Sequence, residues 1–361
     1  MYKILFVCTG NTCRSPMAEA IARSQLDNRF HVSSAGVAAQ DGQSASEEAI
    51  TVMAEMGLGI SRHISRRLTS EMLDAANLVL TMTESHKRNI QSIAPDAVVY
   101  TLGEYAGVRN DISDPFGGDR AVYRAIANQL KALIKPFIKK IKEAQMNNLA
   151  EIMAKRLHIN EHPLVKSKMT MLRNKNTGPK EFRELVGEIA AFLSYEATYN
   201  TPIMETMVTT PVSPAKGWIC EQKFGLVPIL RAGLGMVEGI SNLLPTAKIG
   251  HIGIYRNPET LLPVEYYCKL PPEIEEREIL LLDPMLATGR TAEASIRYLK
   301  DAGAKHIKML CIVTVREGVE QVLKNHPEVD IYTAAFDERL NDHGYIVPGL
   351  GDAGDRLFGT R

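Results

Sequence analysis

Charge of one sign, cysteine and long apolar runs are all scarce in these 361 residues, and each scarcity excludes something. Lysine plus arginine and aspartate plus glutamate balance at 42 each, so bulk electrostatics recruits neither nucleic acid nor an acidic membrane surface. Five cysteines, Cys8, Cys13, Cys220, Cys268 and Cys311, are too few and too irregularly spaced for a disulfide framework or a zinc knuckle, which points to a reduced compartment. No apolar run approaches spanning length, and Met1-Tyr2-Lys3 leads into a strand without the layout of a signal peptide, so a cytoplasmic location is expected. Internal repeats and low-complexity segments are missing too. The length is too great for one ordinary domain and suits two, each with its own core.

Two strand-loop-helix deliveries stand out. Ile279 to Leu282 is an apolar run ending in Asp283, followed by Pro284, Met285, Leu286, Ala287, Thr288, Gly289, Arg290 and Thr291 and then a helix from Ala292 to Asp301. This pattern predicts a buried parallel strand that brings a carboxylate and a phosphate cradle to the carboxyl edge of a sheet, where α/β sheets bind ligands. Asp283 could accept hydrogen bonds from sugar hydroxyls. At the amino terminus, the strand Tyr2 to Val7 leads to Cys8, then Thr9, Gly10, Asn11, Thr12 and Cys13, then Arg14 and Ser15 ahead of a helix. Loop amides, the helix dipole and the Arg14 guanidinium all favour a thiolate at Cys8, which predicts a nucleophile at neutral pH. Asp114, in Asp114-Pro115-Phe116-Gly117-Gly118, is the candidate acid, with Phe116 expected to wall the pocket and raise the carboxyl's pKa; Asp111 reads as a solvated turn residue.

Between these halves the spacing predicts a long amphipathic helix from Asp119 to about Met146 with a kink at Pro136, and a semi-rigid helical connector over 147–161. Beyond His162, a helix from Pro179 precedes strands at Leu226 to Leu230, Ile249 to Tyr255, Ile307 to Val313 and Val329 to Ala334. The first delivers Arg231, a candidate for pyrophosphate. Residues 264–271 read as a protruding hairpin that could carry Arg256 and Lys269 over substrate or serve a dimer contact. Both halves are α/β with parallel sheets.

Residues 1–146 resemble the low-molecular-weight protein-tyrosine-phosphatase superfamily: Cys8-x5-Arg14 at the start, the late Asp114-Pro115 loop, Ser33-Ser34-Ala35-Gly36-Val37, and a central strand at Asn77 to Thr83. Within it, C-T-G-N-T-C-R-S and D-P-F-G-G are similar to bacterial protein-arginine phosphatases. Thr12 stands where tyrosine-specific members carry an aliphatic residue, which favours phosphoarginine on a protein over phosphotyrosine. A tyrosine phosphatase, or a redox sensor pairing Cys8 with Cys13, is the alternative.

Residues 162–361 resemble uracil phosphoribosyltransferase, a type I phosphoribosyltransferase fold, on V-P-I-L-R-A-G-L-G-M, Y-R-N-P-E-T-L, L-D-P-M-L-A-T-G and H-G-Y-I-V-P-G-L-G-D-A-G-D. The resemblance implies that Asp283 to Thr291 take the ribose and 5-phosphate of phosphoribosyl pyrophosphate, and that Arg231 and Arg256 hold its pyrophosphate. It implies too that Ile346, Gly351, Asp352 and Ala353 take uracil, with Asp352 also near the donor. Mg²⁺ would offset the donor's charge. A nucleotide activator such as GTP and a homo-oligomer formed through this half belong to the same expectation. Arg290 departs from the family glycine. A pyrimidine-sensing, RNA-binding regulator is the rival reading, against which the charge balance argues.

Overall fold

The computed structural model describes residues 1–108, 110–256 and 263–360, without the side chains of 255, 256, 263 and 265. The chain divides into two units, Met1–Met146 and Asn147–Arg361. Among the described residues, no helix is long and apolar enough to cross a membrane.

The first unit holds four parallel strands, β1 (Tyr2–Cys8), β2 (Phe30–Gly36), β3 (Leu78–Thr81) and β4 (Val99–Thr101), in the order β2-β1-β3-β4. Alternate side chains of a strand face opposite ways, and β1 obeys this with apolar residues on both sides. Ile4, Phe6 and Cys8 pack with Met17, Ile21, Ile134 and Phe137, whereas Leu5 and Val7 pack with Val79, Ile90 and Val99. With both faces covered, β1 can end in only one useful direction, into the loop that follows Cys8. The long helix is one element, Arg120–Arg156, continuous through Pro136.

In the second unit the 147–161 stretch does more than connect. Leu149, Ile152 and Met153 join its core, and β5 (Leu157–Ile159) pairs in parallel with the far strand of its sheet. Next come β6 (Met204–Thr209), β7 (Pro214–Ile219), β8 (Lys223–Leu230), β9 (Lys248–Ile249), β10 (His251–Arg256) and β11 (Pro263–Lys269). The rest of the main sheet is β12 (Arg277–Leu282), β13 (Met285–Leu286), β14 (His306–Val315) and β15 (Asp330–Asp337). The sheet order is β11-β10-β8-β12-β14-β15-β5, parallel except for β11 against β10. Leu280 and Leu282 face Phe182, Val186 and Ile189 of the helix Pro179–Ala197, while Ile279 and Leu281 face Ile296, Leu299 and Val322 on the other side. The hairpin expected at 264–271 is instead an edge strand, β11. The hairpin that does stand off the main sheet is β6–β7, which was not foreseen and leaves Met207, Val212 and Trp218 62%, 94% and 64% exposed.

Candidate active sites

In the first unit Cys8 closes β1, Thr9 to Cys13 wrap over it, and Arg14 opens the helix Arg14–Arg23. Three contacts converge on the sulfur region: Ser15 Oγ lies 3.0 Å from Cys8 Sγ, the Asn11 N–H donates to Sγ at 3.3 Å, and Asn11 Nδ2 donates to Ser15 Oγ at 2.9 Å. Asn11 can do this because its φ is +54°, a left-handed conformation that asparagine tolerates. Its side chain also donates to Ser34 Oγ at 2.9 Å and accepts the Arg66 N–H at 2.9 Å, which pins the loop to β2 and to the segment beyond. Gly36 is required at the end of β2, since a Cβ there would lie 2.5 Å from Thr9 O and 2.9 Å from Asn11 N.

Arg14 is buried at 4% exposure, and each of its nitrogens is accounted for differently. Nη1 donates to Ile112 O at 3.0 Å, Nη2 donates to Thr9 Oγ1 at 3.3 Å and pairs with Asp114 Oδ2, and Nε is buried with no partner among the described residues. A buried N–H left open is costly, and an oxyanion above the loop would satisfy it. The structure therefore brings Cys8, Arg14 and Asp114 together with the expected loop.

Two expectations change. Phe116 is 80% exposed and Asp114 is 47% exposed, so Phe116 does not keep the carboxyl dry; the partner of Asp114 is Arg14. Burial pushes the Cys8 thiol up from its ordinary value, against the hydrogen bonds of Ser15 and Asn11 and the Arg14 charge, which pull it down. The depth of the site thus opposes the groups expected to favour a thiolate, and the Arg14 charge among them is shared with Asp114.

Asp111 is no bare turn residue: its Oδ1 accepts the Glu84 N–H at 2.9 Å at the start of the helix Glu84–Ile93. Cys13 Sγ is held 3.3 Å from Tyr123 Oη and 3.4 Å from Ser46 Oγ, a set of partners separate from that of Cys8. Thr12 is half-buried, with its carbonyl accepting the Ser46 N–H at 3.0 Å. His86, which sequence reasoning missed, is buried, and its Nε2 lies 2.9 Å from Thr9 Oγ1.

In the second unit Asp283 follows β12 and its Oδ1 accepts the Met285 N–H at 3.3 Å. Burial raises its carboxyl to about 7, a shift that this single hydrogen bond opposes. Pro284 O accepts from the N–H groups of Ile312 and Val313 at 3.0 and 3.1 Å, and Met285 and Leu286 form β13 beside β14, so the loop is tied down before it turns at Ala287 and Thr288. Gly289 has φ +74° and presses on the helix Arg316–Asn325, where a Cβ would lie 2.5 Å from Gly318 O; its own helix follows. The helix begins at Arg290, two residues earlier than expected. Arg290 is exposed, and the hydroxyls of Thr288 and Thr291 take no partner among the described residues.

Arg231 follows β8, exposed, its guanidinium 5.7 Å from the centre of the Phe358 ring. The next turn crowds β12, since a Cβ on Gly233 would lie 2.4 Å from Leu282 O. Loops from β8 and β12 are therefore adjacent. Arg256 ends β10, but its side chain, like the Asn257-Pro258-Glu259-Thr260 motif, lies outside the described residues.

The carboxy-terminal loop is held by residues that the sequence did not single out. Arg173 forks onto Asp337 at 2.6 and 2.8 Å and onto Gly349 O at 2.7 Å, while Arg356 donates to Leu172 O and Leu350 O at 2.8 Å. Ile346 and Ala353 are buried in the core, so what they offer a ligand is backbone. Gly351 has φ +82° and is exposed with Asp352, whose Oδ1 caps the helix Ala353–Phe358 by accepting the Asp355 N–H at 2.9 Å.

Comparison with known proteins also divides the chain into two parts. The family model for uracil phosphoribosyltransferase matches residues 159–360, and that for low molecular weight phosphotyrosine protein phosphatase matches residues 3–147. A uracil phosphoribosyltransferase from Bacillus cytotoxicus is 60% identical over 207 residues, covering 57% of this chain and 99% of that one. Among solved structures, the AQ2163 protein from Aquifex aeolicus is 38% identical with a TM-score of 0.54, covering 56% of this chain and 97% of its own. The YwlE arginine phosphatase from Geobacillus stearothermophilus is 43% identical with a TM-score of 0.40, covering 41% of this chain and 97% of its own.

Proposed function

We propose that this chain, which belongs to the uracil phosphoribosyltransferase family and carries a low-molecular-weight phosphatase domain ahead of that region, joins UMP synthesis to removal of phosphate from protein arginine. In the transferase, uracil replaces diphosphate at C1 of the ribosyl donor. Asp283 takes the ribose hydroxyls, the Ala287 to Thr291 turn takes the 5-phosphate on the N–H groups of Thr288 to Thr291 and the hydroxyls of Thr288 and Thr291, while the Ala287 N–H is spent on Met285 O at 3.1 Å, and Arg231 takes the pyrophosphate, with Arg256 assigned to it from sequence alone. Gly351 to Ala353 and the Ile346 backbone read the carbonyl-NH-carbonyl edge of uracil. Mg²⁺ would come with the donor's phosphates and offset their charge; among the described residues no group of three His, Cys, Asp or Glu side chains could hold a metal ion. Self-association belongs with the exposed apolar side chains of β6–β7, and five irregularly spaced cysteines fit a reduced, cytoplasmic setting.

In the phosphatase, the observation that carries the reading is the unpartnered Arg14 Nε buried beside the Cys8 loop. Phosphate entering the loop satisfies that N–H and competes with Asp114 for Nη2. Cys8 attacks phosphorus as the thiolate; the proton its thiol gives up passes to Asp114, released from Arg14, which hands it to the leaving group as the bond to phosphorus breaks and then takes a proton from the water that displaces Cys8 from the thiophosphate. For substrate choice the residue is Thr12. Phosphotyrosine needs an apolar grip on both ring faces, whereas a narrow guanidinium accepts a short polar side chain. A change of this size in a pocket is worth about 1–3 kcal/mol, roughly ten- to two-hundredfold. Thr12→Ile should therefore shift the ratio of kcat/KM on phosphoarginine and phosphotyrosine peptides toward tyrosine. A wild type that already prefers phosphotyrosine, or a variant with an unchanged ratio, would leave the chain a tyrosine phosphatase.

A further inference from the structure

Arg14 faces a difficulty once phosphate is bound. Its Nη2 rests on two acceptors, Asp114 Oδ2 and Thr9 Oγ1, and the first must leave to serve the leaving group. Apart from the phosphate itself, the guanidinium then rests on Ile112 O at Nη1 and on Thr9 Oγ1 at Nη2. Thr9 is an exposed loop residue, and alone its hydroxyl would be free to rotate away.

His86 prevents this. Its Nε2 lies 2.9 Å from Thr9 Oγ1, and its Nδ1 lies 2.9 Å from Thr83 Oγ1, which in turn accepts the His86 backbone N–H at 3.3 Å as the cap of the helix Glu84–Ile93. A neutral ring has one nitrogen that donates and one that accepts, and each hydroxyl can do either, so in both tautomers the ring bridges Thr83 Oγ1 and Thr9 Oγ1. Thr9 Oγ1 is thus held by His86 on one side while it accepts Arg14 Nη2 on the other. Burial and the nearby Arg14 charge lower the His86 pKa, against Asp114 and Asp111, so the ring stays in the neutral form that this pattern needs. We propose that His86 is a positioning residue of the phosphatase reaction, fixing the Thr9 hydroxyl as the rest on which Arg14 stays aimed when Asp114 turns to the leaving group. The inference rests on reading the Cys8 loop as a phosphatase site.

The test is a double-mutant cycle on the full chain with p-nitrophenyl phosphate: wild type, Thr9→Val, His86→Ala and the pair. Each single change should lower kcat roughly three- to tenfold, the range of one ordinary hydrogen bond, with a smaller effect on KM. The pair should be no slower than the slower single variant, because His86 acts only through Thr9. His86→Gln, whose amide N–H can reach the same oxygen, should recover most of the loss. Thermal unfolding of each form separates loss of aim from loss of fold, and His86→Leu replaces His86→Ala if the latter does not fold. Multiplying losses in the pair, an unchanged kcat in the single His86 variant, or no recovery by His86→Gln would overturn the proposal. A wild type that hydrolyses no phosphate ester would instead overturn the phosphatase reading on which it stands.

Discussion

Replacing Asp114 with asparagine should make the phosphatase site bind phosphate better while making it a worse catalyst. In the resting site Asp114 Oδ2 occupies Arg14 Nη2, so an incoming phosphate must displace it. The Asp114→Asn change keeps the size of the side chain and removes its charge. The pair is lopsided, with Arg14 4% and Asp114 47% exposed, and a half-solvated ion pair of this kind is worth about 0.2–1 kcal/mol. Inhibition by inorganic phosphate should therefore tighten by up to about fivefold, the factor that about 1 kcal/mol represents. The freed Arg14 charge also acts more fully on Cys8, so the pH at which iodoacetamide begins to alkylate Cys8 should fall. Against these gains stands loss of the general acid, worth roughly 10² to 10⁴ where the leaving group needs a proton. Phenyl phosphate should feel that loss and p-nitrophenyl phosphate, with its good leaving group, should scarcely feel it. Weaker phosphate inhibition together with equal slowing of both esters would refute the argument, since Asp114 would then be neither the guard of Arg14 nor the acid.

Cys8→Ser should abolish ester hydrolysis and leave UMP synthesis at the wild-type rate, because Cys8 packs within the first unit; joint loss of the two activities would show that the units do not work separately. The Asp283 carboxyl, raised to about 7 by burial, holds its proton in the folded chain across a range where the unfolded chain, with a carboxyl near 4, has lost it. Stability is then lost as pH climbs from about 4 to about 7. Asp283→Asn should gain on wild type in Tm between pH 5 and pH 8 while losing UMP synthesis, and a Tm difference independent of pH would remove the buried carboxyl from the account.

How much of this was legible depends on whether a residue acts through neighbours in sequence or through contacts made by the fold. The Cys8 loop and the Asp283 loop are contiguous, and their strand-loop-helix pattern announces both the element and its carboxyl edge, so those sites were readable. Arg173, Asp337 and Arg356 were not, because Arg173 reaches Asp337 and Gly349, and Arg356 reaches Leu172, across more than a hundred residues, and Asp337 meets Gly349 from a strand outside the motif. His86 sits on an amphipathic helix where a histidine gives no signal; only the pairing of β1 with β3 brings the residues after Thr81 beside Thr9. The hairpin β6–β7 escaped notice because Met204 to Ile219 mixes apolar side chains with Gly, Pro and Lys and has no covered face to impose a period. Cys8 is the instructive case. Sequence supplied the groups that lower its pKa, Arg14 among them, but not the depth at which β1 sets it: Cys8 is 2% exposed, and that burial pushes the thiol up against them. Nor did sequence bring Arg14 to Asp114, 100 residues away. A phosphate that draws Arg14 onto itself would free Asp114 for the leaving group, so the acid that occupies the cation in the empty site serves the reaction once the site is filled.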